Sequence, residues 1–144
     1  MAQPRRAPRA EPTSPERARE AGRLSPAAAL VLAWLVPGGA HLLLGQVRKA
    51  VVFFVVLTAM FAIGLGFGGR LFPFHFSDPL VFLAAAAEWA LGLPRLMAAV
   101  SHSGQGDVVS ATYEYGNTFL IASGLLNTLI VLDARDLARG RPRR

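Results

Sequence analysis

Glu88 is the residue whose type and setting come closest to doing chemistry. It lies near the middle of an apolar block running from Pro79 to Val100, with Arg95 seven residues later on the same face of a continuous helix. An ionisable group at membrane depth marks a proton or cation path, or a structural ion pair, because an uncompensated charge there is costly. A lone carboxylate without an acidic companion favours structure: protonated, or paired with His41 or Asn127, it would hold the helices in register. His41 follows the break Pro37-Gly38-Gly39. It is a candidate proton relay or metal ligand, but a metal site needs three or four ligands. The other histidines, His75 and His102, fall in loops assigned to opposite faces. A packing histidine near a helix end, hydrogen-bonded to exposed backbone, is the expectation.

Other chemistries lack their residues. The chain has no cysteine, which removes disulfides, thiol catalysis and thiolate-held metal. Ser101, Ser103, Ser110 and Ser123 have no nucleophile-elbow context, and the LGFGG run closes a hydrophobic helix instead of following a strand. No enzyme activity and no cofactor are expected. A net charge of +6 and a pI near 11.3 raise nucleic-acid binding. The basic residues flank apolar blocks without forming a folded basic face, so no nucleic acid is expected as partner.

The elements that must position these residues are four apolar blocks in a chain that is 53% hydrophobic. Spans are expected at about 26–44, 50–67, 79–100 and 117–132, inside a membrane domain of residues 26–133. Residues 1–25 read as a disordered basic tail, since they bury too little to offset chain entropy. Residues 134–144 form a second basic tail. Nineteen or so residues at 1.5 Å each just cross a hydrocarbon core of about 30 Å. Pro26 suits a helix start. Pro37 in mid-helix removes a hydrogen bond, so a kink or unwinding is expected there, covered by a neighbouring helix or water. The short link from Gly45 to Lys49 predicts an antiparallel hairpin.

Small residues point to packing. Gly64 and Gly68, four apart, permit close helix approach; Gly116, Ser123 and Asn127 share a face, with Gly124 and Thr128 adjacent. Such a stripe could also line a narrow pore, but it is short and uncharged. Phe72, Phe74 and Phe76 are expected to rest at headgroup level.

The fold expected is all-α: an integral four-helix membrane domain of two helical hairpins with disordered Arg-rich tails. Six arginines in the first tail and five in the last put both termini in the cytoplasm of a bacterial inner membrane. Arg48 and Lys49 break that rule by facing outward, unless the first block is re-entrant. Expected partners are the lipid bilayer, a second copy or larger membrane partner, and anionic lipid contacting the Arg tails. The leading expectation is a non-enzymatic scaffold or subunit. The alternative is a small oligomeric transporter or channel with Glu88 and His41 as its polar path.

The first hairpin, AWLVPGGAHLLLGQVRKAVVFF, resembles small bacterial membrane proteins that carry a Pro-Gly-x-Gly-His-x-x-x-Gly pattern before a basic turn. The matching positions are Pro37, Gly38, Gly39, Ala40, His41 and Gly45. It is also distantly similar to the two-transmembrane-helix domain, with Leu42, Leu43 and Leu44 where that domain carries aromatics. With LGLPRLMAA and YEYGNTFLIASGLLNTLIVLDARD, the chain beyond residue 26 resembles an uncharacterised four-span bacterial family, a domain of unknown function. That likeness implies a membrane protein and supplies no activity, cofactor or catalytic residue.

Overall fold

The computed structural model describes residues 25–140. The first tail expected to be disordered lies outside the described residues except for Ser25, whereas only residues 141–144 of the second do. Six helices form within them: α1 Pro26–Leu35, α2 Gly39–Leu43, α3 Val47–Gly66, α4 Pro79–Trp89, α5 Leu93–Val100 and α6 Tyr113–Ala138. Ser25 caps α1 by accepting the Ala28 N–H at 3.1 Å, and Asp78 caps α4 by accepting from Leu80 and Val81. Each has proline immediately inside its start, where the missing N–H is tolerated.

The chain is all-α, and two of its described helices are long and apolar enough to cross a membrane: α3 with 20 residues and α6 with 26. The pair α4 and α5 adds a third if counted as one span, although its two halves bend by 107°. The expected first span at 26–44 is divided into α1, of 10 residues, and the five-residue α2. At 1.5 Å per residue, α1 reaches about 15 Å, half the hydrocarbon thickness.

Both breaks have local causes. At the first, Pro37 cannot donate and Gly38 takes φ 77°; a Cβ there would stand 2.5 Å from the Ala50 carbonyl oxygen, so α3 packs against bare backbone. At the second, Gly92 takes φ 60°, and a Cβ would overlap the Trp34 carbonyl. Pro94 follows within the first turn of α5. A single helix over 79–100, as the sequence led us to expect, is thereby excluded.

Helix α6 is the axis of the packing and contacts α1, α3 and α4. Leu57, Phe61, Leu91, Ala98, Leu120 and Ile130 form one apolar cluster. Ala29, Ala33, Ala40 and Ala134 form a second, flanked by Leu32, Val131 and Ala138. Small residues let backbones touch: a Cβ on Gly64 would sit 2.9 Å from the Gly116 carbonyl oxygen. Gly69 rather than Gly68 completes that contact, its N–H donating to the Gly64 carbonyl at 3.0 Å.

The two loops expected on opposite faces lie together. The Leu71 N–H donates to the Gly104 carbonyl and the Asp107 N–H to the Gly68 carbonyl, both at 2.8 Å. The Thr112 hydroxyl donates to the Phe67 carbonyl at 3.0 Å. The chain between Leu71 and Gly104 thus leaves and returns to the same end of the molecule, because the Gly92 bend reverses it. The phenylalanines of this segment pack along α4: Phe74 stacks on Trp89 and meets Phe82, which Phe76 also touches. Helix α6 continues past the expected boundary at 132–133 to Ala138, so the second basic tail begins as helix.

Candidate functional site

The polar groups gather where the two breaks meet. A helix carbonyl at position i normally accepts from the N–H at i+4. The carbonyls of Ala33 and Ala90 lie at the ends of α1 and α4, where the chain turns away at Val36 and Gly92 before an i+4 donor can follow; Pro37 and Pro94 could not donate in any case. Asn127, fully buried in α6, serves both: its Nδ2 donates to the Ala33 oxygen at 3.3 Å and to the Ala90 oxygen at 2.8 Å. Trp34 adds a third bond across the same junction, its indole N–H donating to the Trp89 carbonyl at 2.9 Å. Gly124, one turn before Asn127, admits the Ala87 carbonyl; a Cβ at Gly124 would overlap it.

Glu88 pairs with Arg95, although no continuous helix joins them. Glu88 Oε2 lies 3.6 Å from Arg95 Nε, with both side chains buried. The same oxygen accepts the Phe72 N–H at 2.9 Å, while an Arg95 Nη donates to the Phe72 carbonyl at 3.3 Å. The pair therefore clasps one residue of the incoming loop by its two backbone groups. Arg95 also lies 5.1 Å from the Trp89 ring centroid, a cation–π distance. Glu88 Oε1 is buried and has no hydrogen-bond partner among the described residues.

His41 belongs to a different place. Its Nε2 lies 2.9 Å from Asp133 Oδ2 near the C-terminal end of α6, and its ring meets Phe53 edge-on at 5.1 Å. This side-chain partner replaces the exposed-backbone partner anticipated from sequence. Asp133 was legible only as the end of an apolar block, since a helix-to-helix pair separated by 92 residues leaves no local pattern.

A family model described as a family of unknown function, DUF6677, matches residues 28–143. The chain belongs to that family. Among curated proteins and solved structures, nothing matches it. DUF6677 membership agrees with the uncharacterised family that the sequence resembled, and it assigns no chemistry.

Within this DUF6677 chain the remaining candidates are structural in placement. Ser123 is buried and donates to the Leu120 carbonyl of its own helix at 2.7 Å, while Gly116, Gly124 and Asn127 also face inward. Pro37 and Gly38 are buried at the first break, Gly39 opens α2, and Gly45 turns the chain toward α3 with φ 77°. Among the described residues, no three His, Asp or Glu side chains converge as a metal site would require. The elements missed by sequence reasoning, Trp34 and the Phe72 backbone, are of unequal legibility. Trp34 stands next to Ala33, four residues before Pro37, where a bond is missing; the Phe72 backbone had no such signal.

Proposed function

We propose that this protein is an integral membrane protein with two full crossings, α3 and α6, and two broken segments that each reach mid-depth and turn back. Its function is that of a non-enzymatic scaffold or subunit in a membrane assembly, made with a second copy or a larger membrane partner. The observation that carries this reading is where the buried polar groups point. Asn127, Trp34, Glu88 and Arg95 all bond backbone at the breaks or the loop packed on them. Unpaired backbone is tolerated at membrane depth only when protein or water covers it, and these side chains are that cover.

Charge supports two crossings over four. If residues 26–45 enter and leave on one side, Arg48 and Lys49 join both Arg-rich tails there. Every Lys and Arg except Arg70 and Arg95 then lies on the cytoplasmic side. The four-span arrangement instead puts Arg48 and Lys49 outside. Single cysteines test this, since the chain has none of its own. At Ala27, Arg48 and Arg139 an impermeant reagent should give one common result in intact cells, and at Val109 the opposite result. Grouping of Arg48 with Val109 would restore four spans. Crosslinking that captured only monomer in native membranes would remove the assembly.

A transporter is the second reading, favoured by the unpartnered Glu88 Oε1 and His41 Nδ1. It predicts loss of reconstituted flux in Glu88→Gln; unchanged flux removes it.

A further inference from the structure

Two adjoining cavities together have the polarity of a phospholipid. The first, of about 460 Å³, is a groove between α3 and α5 whose walls include Phe54, Phe61, Ala62, Leu65, Pro94 and Met97. Its volume is within the ~300–1,000 Å³ usual for small-ligand sites. Its lining also takes in Pro37 at the first break and the polar residues Ser101 and Ser103. Ser103 also lines the second cavity, of about 270 Å³, with Arg70, Arg95, Gly104 and Gln105. This second space sits beyond the end of α3, where the two loops are hydrogen-bonded together.

We propose that this pair of cavities binds one phospholipid, with an acyl chain in the α3–α5 groove and the phosphate between Arg70 and Arg95. The proposal rests on the membrane reading above and goes beyond it by naming a ligand and its site. Charge complementarity selects the headgroup. Glu88 balances Arg95 across the buried pair, while Arg70 has no acidic partner among the described residues, so the cavity holds one uncompensated positive charge. No loop carboxylate lines this cavity among the described residues, and Asp107 in the adjoining loop accepts the Val109 N–H at 3.2 Å. Guanidinium groups suit phosphate oxygens, which accept their planar N–H donors in pairs. Arg95 is held ready by its bond to the Phe72 carbonyl and by burial to 6% exposure. A free anion would use only the polar cavity. The continuous apolar groove is what selects a lipid.

Native mass spectrometry on the full chain, titrated with phosphatidylglycerol, phosphatidylcholine or inorganic phosphate, tests this. One phosphatidylglycerol should be retained per chain. Arg70→Gln should weaken it about tenfold, and Ala62→Phe, which fills the groove from an exposed position, should weaken it comparably. Arg48→Gln, remote from both cavities, should leave retention unchanged. Equal retention in all three variants would overturn the proposal. Inorganic phosphate that binds as tightly as lipid, and is indifferent to Ala62→Phe, would also overturn it in favour of a free-anion site. Carbonate extraction separates the two failures: release from membranes defeats the membrane reading, whereas retention without site-dependent lipid defeats only this one.

Discussion

The Asn127 amide stands 2.8 Å from the Ala90 carbonyl, which the turn at Gly92 leaves without a helical donor. The same amide reaches the Ala33 carbonyl, left open where α1 ends at Leu35 and Val36 turns extended. One side chain on a continuous helix thus repairs the hydrogen-bond deficits of two breaks that are far apart in sequence. This makes the junction a structural unit, and its parts should fail together.

Asn127→Leu should destabilise the fold by about 2 kcal/mol, the scale of a buried polar group left unpaired. Membrane hydrogen bonds measured by double-mutant cycles average ~0.6 kcal/mol, which sets the lower bound. Reversible unfolding in mixed micelles reads the change. Adding Trp34→Phe to Asn127→Leu should cost less than the sum of the two separately, because both side chains bond carbonyls across the same junction. Strict additivity of the two substitutions would refute the coupling.

Glycine substitutions should divide sharply by position. Gly124→Ala places a methyl where the Ala87 carbonyl now lies, so backbone must separate and folded protein should largely disappear from size-exclusion profiles. A Cβ at Gly66 meets nothing within 4 Å, and Gly66 lacks a positive φ. Gly66→Ala should leave the profile unchanged or slightly improved, through helix propensity.

Removing one half of the buried ion pair should cost more than removing both. Arg95→Met strands the Glu88 carboxyl in an apolar site, and losses of about 3–5 kcal/mol are typical when a buried pair is broken. The double variant Glu88→Gln, Arg95→Met removes the stranded charge and should recover more than half of that loss. Thermal unfolding of both single variants and the double decides it, and a double variant worse than Arg95→Met would show that the Phe72 clasp dominates.

Trp34→Phe tests the contact between the two broken segments. An aromatic ring is retained but the N–H to the Trp89 carbonyl is lost, so a modest loss of about 1 kcal/mol is expected. A greater consequence should be local: faster hydrogen exchange or proteolysis near Gly92 than near Gly64. Uniform change across the chain would place the role of Trp34 elsewhere.

Composition and local pattern were enough to read several features before any contact was known. The apolar blocks and the Arg-rich flanks marked the chain for a membrane, because solvent preference is additive along the chain. The helix-starting proline Pro26 and the break at Pro37 follow from a missing N–H and were legible for the same reason. So was the inward face of Gly116, Ser123 and Asn127, which repeats at helical spacing.

How those pieces are joined depends on contacts between blocks distant in the chain. The reversal at Gly92 combines a positive φ with close contact to the Trp34 carbonyl, which belongs to another block. The meeting of loops 68–71 and 104–107 follows from that reversal. His41 found Asp133 through a contact that no spacing encodes, and Glu88 met its seven-residue neighbour Arg95 across the Gly92 bend instead of along one helix. Apolar periodicity shows which face avoids water. In a bilayer both lipid and protein satisfy that preference, so periodicity alone cannot fix where a segment turns back, and the hydrogen bonds of the broken backbone do.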